Sequence, residues 1–264
     1  MRKPDAGAKL LAEEAAAADT GLKAMIPVGQ PGSGGRAPRR PFLDYLLNAL
    51  ADSGFTAACI VIGREHEMVR ARYEHDVVPS RIKVSFAMQE RALGTANAVI
   101  SAEAFASGDS FAVLNSDNYY PAEALDALRS LAEPAIVGFD RDVLVRLGNV
   151  PSERTARFGA LDIGDDGYLR RILVSPTEEM LRSGMPIYSS MNCFLFTKEI
   201  FPACRNVPLS ARGEYELPQA VHFAIDRYGI RFKVVKVAAP VLDMSTRGDI
   251  ALVREYLKGI EISL

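Results

Sequence analysis

The sequence predicts an α/β fold: one domain with a mixed, mainly parallel sheet flanked by helices. Three observations carry this. Short apolar runs alternate with segments of helical spacing through the first half of the chain. Those runs lack polar alternation, as expected of strands covered on both faces. A small-residue turn, Gly94-Thr95-Ala96, opens a helix just after one run, and Asp117 closes another. In an open α/β sheet, ligands lie outside the carboxyl ends of strands, and a helix N-terminus there suits a phosphate.

Taken in order, positions 41–53 put Phe42, Tyr45, Leu46, Ala49 and Leu50 on one side of a helix, with Gly54 as its stop. The run 57–62, ending at Gly63, is a strand. A helix over 64–75, a strand over 82–88, a helix over 95–105 and a strand over 111–114 follow. Pro121 sits in the first turn of a helix over 121–131, before another buried strand at 135–139. The second half changes character. Strands at 158–163 and 168–174 flank Gly164-Asp165-Asp166-Gly167, a hairpin signal. Further strands are predicted at 190–196, 231–237 and 241–242, and helices at 197–204, 216–228 and 246–257. A mixed sheet with an antiparallel excursion fits better than two domains, so 1–264 reads as one unit without internal repeats. Near the amino end, 10–18 favours a helix by its alanine and glutamate content. The glycine-rich stretch from Gly29 to Arg36 lacks the Lys-Ser/Thr pair and preceding strand of a P-loop. Positions 29–40 therefore read as a flexible surface insertion.

Bulk properties narrow the function classes. The formal charge of the 264 residues is −2, so nothing argues for broad nucleic-acid binding. No apolar run is long enough to span a bilayer, and Met1-Arg2-Lys3-Pro4-Asp5 lacks the apolar stretch of a secretory signal. Cys59, Cys193 and Cys204 have no metal-ligand spacing and read as structural thiols in a reducing cytosol. His66, His75 and His222 are scattered and add no metal signal. The expectation is a cytoplasmic protein with no membrane partner.

Three segments carry a specific resemblance. They are Gly21-Leu22-Lys23-Ala24-Met25-Ile26-Pro27-Val28, Gln89-Glu90-Arg91-Ala92-Leu93-Gly94-Thr95-Ala96, and Leu114-Asn115-Ser116-Asp117-Asn118. Together they resemble the sugar-nucleotidyltransferase family, whose members join a nucleoside triphosphate to a sugar 1-phosphate and release pyrophosphate. The resemblance implies a Rossmann-like domain of the nucleotide-diphospho-sugar transferase type. It also implies Mg²⁺ on Asp117 and Asp243, Lys23 at the nucleotide phosphates, and Gln89, Gly94 and Thr95 around the nucleotide. By the same resemblance Asn118, Gly159, Asn192 and Glu214 lie at the sugar phosphate. The residue types suit the chemistry. The attacking phosphate is already anionic at neutral pH, its second pKa being about 6, so no general base is needed. Positioning and cations must supply the catalysis. Mg²⁺ commonly takes one or two protein carboxylates beside substrate phosphates. Gln89 can pair with a pyrimidine edge, and Gly94 has no β-carbon to block a base or ribose. Read without the resemblance, Asp243 serves equally as a cap for the helix at 246–257. Asn192 serves equally as a strand polar group, and Glu214 as a capping carboxylate.

The chain departs from the family in two places. Family members begin with an apolar strand running into a Gly-x-Gly-Thr-Arg loop that wraps the triphosphate. The comparison implies a native start about twenty residues before Met1, and a sheet short of one member without that strand. In addition, Ile172-Leu173-Val174-Ser175-Pro176 stands where the family has Glu-Lys-Pro, so the sugar phosphate loses a lysine: either another cation, such as Arg170 or Arg171, substitutes, or the acceptor differs from a common hexose 1-phosphate, or activity is lost. These departures keep open a second reading, a non-catalytic relative that binds a nucleotide or nucleotide sugar. A metal-dependent glycosyltransferase would carry two aspartates one residue apart at the strand end. The segment Asn115 to Tyr119 offers one. The base, the sugar and the oligomeric state, for which a homo-oligomer is compatible, are not fixed by these residues.

Overall fold

The computed structural model describes residues 10–19, 21–29, 39–155 and 158–264. Helix α1 (Ala12–Asp19) precedes α2 (Phe42–Asp52), whose residues from Phe42 to Leu50 are all buried. Apolar side chains cover most of α2, and its polar stripe of Asp44, Asn48 and Asp52 is met by partners, Arg72 and Tyr73 on Asp44 and Arg81 on Asn48 and Asp52. Strands β1 (Ala57–Ile62) and β2 (Lys83–Met88) pair in parallel, from Ala57 against Lys83 to Ile62 against Met88. The single helix predicted between them is broken into three pieces. A 3₁₀ turn at Arg64–His66 leads into α3 (Glu67–Ala71), and a wide turn follows in which Val77 N donates to Arg72 O at 2.8 Å. That turn sets Arg72 and Tyr73 onto the fully buried carboxylate of Asp44, at 2.6 Å and 2.8 Å. An unpaired buried carboxylate would cost several kcal/mol, roughly, so those partners outweigh regular helix geometry.

The helix predicted at 95–105 is likewise two, α4 (Thr95–Ser101) and α5 (Glu103–Ala106), before β3 (Phe111–Val113). Strand β4 (Asn118–Tyr119) was not expected; then come α6 (Ala122–Ser130) and β5 (Ala135–Asp140). Two further unpredicted helices, α7 (Arg141–Leu147) and α8 (Ser152–Thr155), lead to the hairpin of β6 (Ala160–Ile163) and β7 (Leu169–Leu173). The remainder is α9 (Glu178–Arg182), β8 (Tyr188–Phe196), α10 (Ile200–Asn206), α11 (Leu217–Tyr228), β9 (Lys233–Val237), β10 (Leu242–Asp243) and α12 (Arg247–Tyr256).

The main sheet has the order β7-β6-β8-β5-β9, with β3 also on β8. It is mixed, as predicted, but its ladders are mostly antiparallel. Strand β8 runs against β3, β5 and β6, and only β5–β9 is a parallel ladder within this sheet. The parallel character predicted from β–α alternation survives in direction: β3, β5, β6 and β9 all point one way, with β8 threaded between them. One edge of β8 serves β3 through Phe194–Phe196 and β6 through Ser189. Where the two diverge, Asn192 takes φ +52, and the β5–β8 register shifts between Ile136 and Gly138. Behind the sheet Phe194, Phe196 and Phe232 are fully buried, with Phe196 edge-to-face on Phe232 at 5.9 Å. Each such ring contributes about 1.5–3 kcal/mol by burial.

Strands β1 and β2 do not join the main sheet. Among the described residues the free edge of β1 and the free edge of β3 have no ladder partner. Between them runs a cleft of about 930 Å³, lined by Leu43, Leu46 and Leu47 of α2 and by Ala98 and Val99 of α4. The apolar run of β1 is only half buried as a result, Cys59 included.

The ends of the predicted insertion at 29–40 are held together: Val28 N and Gly29 N both donate to Arg40 O, at 3.0 Å and 3.2 Å. Its interior, 30–38, lies outside the described residues.

Candidate active site

The short antiparallel ladder of β4 and β10 builds the site. It sets Asn118 opposite Asp243 and Tyr119 opposite Leu242, and Met244 N donates to Asp117 O at 2.9 Å. Two carboxylates far apart in sequence thereby become neighbours. Asp117 follows β3 in a turn, and its Oδ2 receives Lys23 Nζ at 2.6 Å. Asp243 is buried; its Oδ1 accepts from Asn118 Nδ2 at 3.1 Å, and its Oδ2 has no hydrogen-bond partner. Burial raises the Asp243 pKa above the usual carboxylate range; Ser245 and the Arg154 guanidinium pull it partly back, and the charges of Asp117 and Asp249 push it up again. Such a carboxylate is short of positive charge.

A chain of carboxamides ties this pair to the sheet. Asn192 Nδ2 donates to Asn115 Oδ1 at 3.4 Å, and Asn115 Nδ2 to Asn118 Oδ1 at 3.1 Å. The buried Tyr120 hydroxyl donates to Met191 O at 2.7 Å and accepts from Asn115 N at 3.1 Å. Asn118 is thus enclosed, with both ends of its amide engaged. Its side chain bridges the two aspartate-bearing segments. Asn192 stays half-buried on the cleft.

The nucleotide-side residues are rearranged relative to expectation. Gly94 has φ +104, and a β-carbon there would lie 2.6 Å from Tyr215 O. The space a side chain would need at this glycine is taken by the 214–215 segment. Ala96 N donates to Tyr215 O and Tyr215 N to Leu93 O, both at 2.8 Å. Thr95 Oγ1 accepts from Leu217 N at 2.9 Å and so anchors the start of α11. Exposed Glu214 is carried to this turn, its Cβ 3.0 Å from where a Gly94 β-carbon would be. Gln89, at the end of β2, donates Nε2 to Gly94 O and Asn97 Oδ1, both at 3.0 Å. Since a carbonyl can only accept, the bond to Gly94 O fixes the amide orientation, with Nε2 toward this turn. Gly159 packs against Ile172 and accepts from Ser190 N at 2.7 Å, which makes it a joint between β6 and β8.

Lys23, Thr95, Asn115, Asp117 and Asn192 all border the one cleft. The substitute cations suggested for the sugar phosphate do not. Arg171 pairs with Asp226 at 2.6 Å, Arg170 lies beside Asp165, Asp166 and Arg231, and Val174 is 88% exposed. Sequence reasoning missed Asn149, Arg154 and Asp249. Only the last left a signal, Thr246-Arg247-Gly248-Asp249, a capping box in which Asp249 Oδ2 accepts from Thr246 N at 2.7 Å. That box caps α12, so the capping alternative for Asp243 falls.

The family model described as nucleotidyl transferase matches residues 36–237. The chain belongs to this family. Among curated relatives, the UTP–glucose-1-phosphate uridylyltransferase AglF of Haloferax volcanii is 25% identical over 206 residues, 78% of this chain and 79% of that protein. A glucose-1-phosphate thymidylyltransferase of Streptomyces griseus is 27% identical over 209 residues, covering 78% of this chain and 52% of its own. A UDP-glucose pyrophosphorylase structure with UDP-glucose aligns with a TM-score of 0.66 at 14% identity, covering 89% of each chain. That of Acinetobacter baumannii gives 0.66 at 15%, covering 89% of this chain and 85% of the other. The solved structures agree on the α/β fold with its mixed sheet, and the relatives are sugar nucleotidyltransferases. Among the described residues no helix is long and apolar enough to cross a membrane.

Proposed function

We propose that this sugar nucleotidyltransferase joins a nucleoside triphosphate to a sugar 1-phosphate with Mg²⁺ held between Asp117 and Asp243. The observation that carries this is the buried Oδ2 of Asp243, which has no hydrogen-bond partner among the described residues, beside a second carboxylate paired with Lys23. Two carboxylates suit Mg²⁺ with substrate phosphates completing its shell; no group of three or more metal-ligating side chains occurs among the described residues. When bound, the cation would neutralise charge on the α-phosphate and the departing pyrophosphate.

A sugar-phosphate oxygen attacks the α-phosphorus, the bond from that phosphorus to the β-phosphate bridging oxygen breaks, and pyrophosphate leaves with the electron pair. No proton moves, which agrees with a site whose nearest side chains are amides, carboxylates and a lysine. Lys23 would turn from Asp117 to the triphosphate, as the ammonium needs only rotation about its flexible stem. Gln89 Oε1 would accept an N–H from the base, favouring an edge with a ring N–H donor such as uracil, thymine or guanine.

A second reading, a binding-only relative, is favoured by exposed Val174 and Ser175, which stand where the family has Glu-Lys. Incubation with each triphosphate, Mg²⁺ and a panel of sugar 1-phosphates, assayed for pyrophosphate, separates them. Release supports the enzyme; nucleotide-sugar binding without release supports the second reading.

A further inference from the structure

Strand β10 is two residues long and, among the described residues, has a strand partner, β4, on one edge only. A strand so short is poorly held by a single ladder. On its other edge stands a side chain. Asn149 Oδ1 accepts from Asp243 N at 2.8 Å, and Asn149 Nδ2 donates to Asp243 O at 2.7 Å. A carboxamide carries one acceptor and one donor side by side, as a peptide group does. We infer that Asn149 is a positioning residue for the proposed cation: it takes the place of a second sheet partner for β10 and fixes where Asp243 Oδ2 points. The inference rests on the proposed function.

The clamp is itself braced. Arg154 Nη2 donates to Asn149 O at 2.7 Å, and the guanidinium forks onto Asp249, Nη1 to Oδ2 at 2.7 Å and Nη2 to Oδ1 at 2.8 Å. Asp249 in turn accepts from Ser245 N at 3.1 Å and from Thr246 N. Held this way, Arg154 Nη1 stops 3.7 Å from Asp243 Oδ2, too far for a hydrogen bond. The brace therefore keeps the arginine near enough to ease the buried charge and too far to occupy the oxygen. Asn149 touches neither substrate nor cation and acts only through Asp243.

The test is titration of the full chain with Mn²⁺ alone, followed by water proton relaxation, for the unaltered protein and Asn149→Ser. Partners that orient metal ligands typically change affinity by about 10–100-fold when removed. The expected result is Mn²⁺ binding by the unaltered protein, weakened about tenfold or more in the variant, with an unchanged far-ultraviolet circular dichroism spectrum. Asn149→Gln, which moves the same carboxamide by one methylene, serves if the serine variant does not fold and should weaken binding likewise. Equal Mn²⁺ affinity in unaltered and folded variant proteins overturns the positioning role while leaving the proposed function standing. Absence of Mn²⁺ binding to the unaltered protein overturns both.

Discussion

Lys23 Nζ sits 2.6 Å from Asp117 Oδ2, although 94 residues separate them. The pair is part-exposed, at 29% and 26% for the two side chains. At that exposure it is worth about 0–1 kcal/mol of stability, so its place in the fold is not structural. Asp117→Asn should leave the melting temperature nearly unchanged while reducing cation-dependent pyrophosphate release by about 10²–10³-fold. Calorimetry and steady-state assay of the same preparation check both halves. Unchanged rates would remove Asp117 from the site.

Gly94 answers to a different constraint. Its φ of +104 and the 2.6 Å approach of Tyr215 O leave no room for a side chain. Gly94→Ala should destabilise the protein by about 1–3 kcal/mol through backbone strain, more if the 214–217 segment detaches. Urea unfolding measures this directly. A variant as stable as the parent would show that the close approach is not maintained in solution.

His222 makes stability depend on pH. Burial lowers its pKa below the usual value, the Arg171 charge lowers it further, and Asp226 opposes them. Its Nε2 accepts from Ile172 N at 2.9 Å, which requires the neutral ring. A group with a depressed folded pKa favours folding above its unfolded pKa, about 6.5 for histidine, and that contribution is lost as pH falls through the lower folded value. Stability should therefore decline below about pH 6.5, and His222→Gln, which keeps an acceptor, should flatten that decline. Melting temperatures at pH 5 to 8 in both proteins test it.

Cys59 lines the cleft between β1 and β3, whereas Cys193 and Cys204 are buried. Burial raises all three thiols, Cys204 to about 12. Under native conditions N-ethylmaleimide should modify Cys59 alone, slowly at neutral pH and faster as pH rises, because the thiolate is the reactive form. Peptide mapping by mass spectrometry identifies the site. Modification of Cys193 in the folded protein would contradict the packing.

Much of the architecture was legible because apolar runs report burial directly. The strand at 57–62 and the hairpin about Gly164–Gly167 appear where periodicity and turn residues placed them. What escaped depends on side chains meeting across the fold. The break of the helix at 64–75 follows from Asp44, 28 and 29 residues before Arg72 and Tyr73 and in a different helix. The threading of β8 between β3, β5 and β6 is a matter of topology that no local pattern encodes. At the site, Asp117 and Asp243 were named from chain position and resemblance, and the structure brings them together. The contacts of Gly94, Thr95 and Asn118 could not be read locally because their partners, Tyr215, Leu217 and Asp243, lie over a hundred residues away. Asn149 left no sequence signal, since one asparagine in a loop resembles any other.

The pairing of Asp117 with Asp243 across one divalent cation is tested most directly by pyrophosphate release as a function of Mg²⁺ concentration, in the unaltered protein, Asp117→Asn and Asp243→Asn. The account predicts release that saturates with Mg²⁺ and stops on chelation, with both variants reduced by about 10² or more. Turnover that persists in chelator, or that either variant sustains at the parental rate, would contradict it.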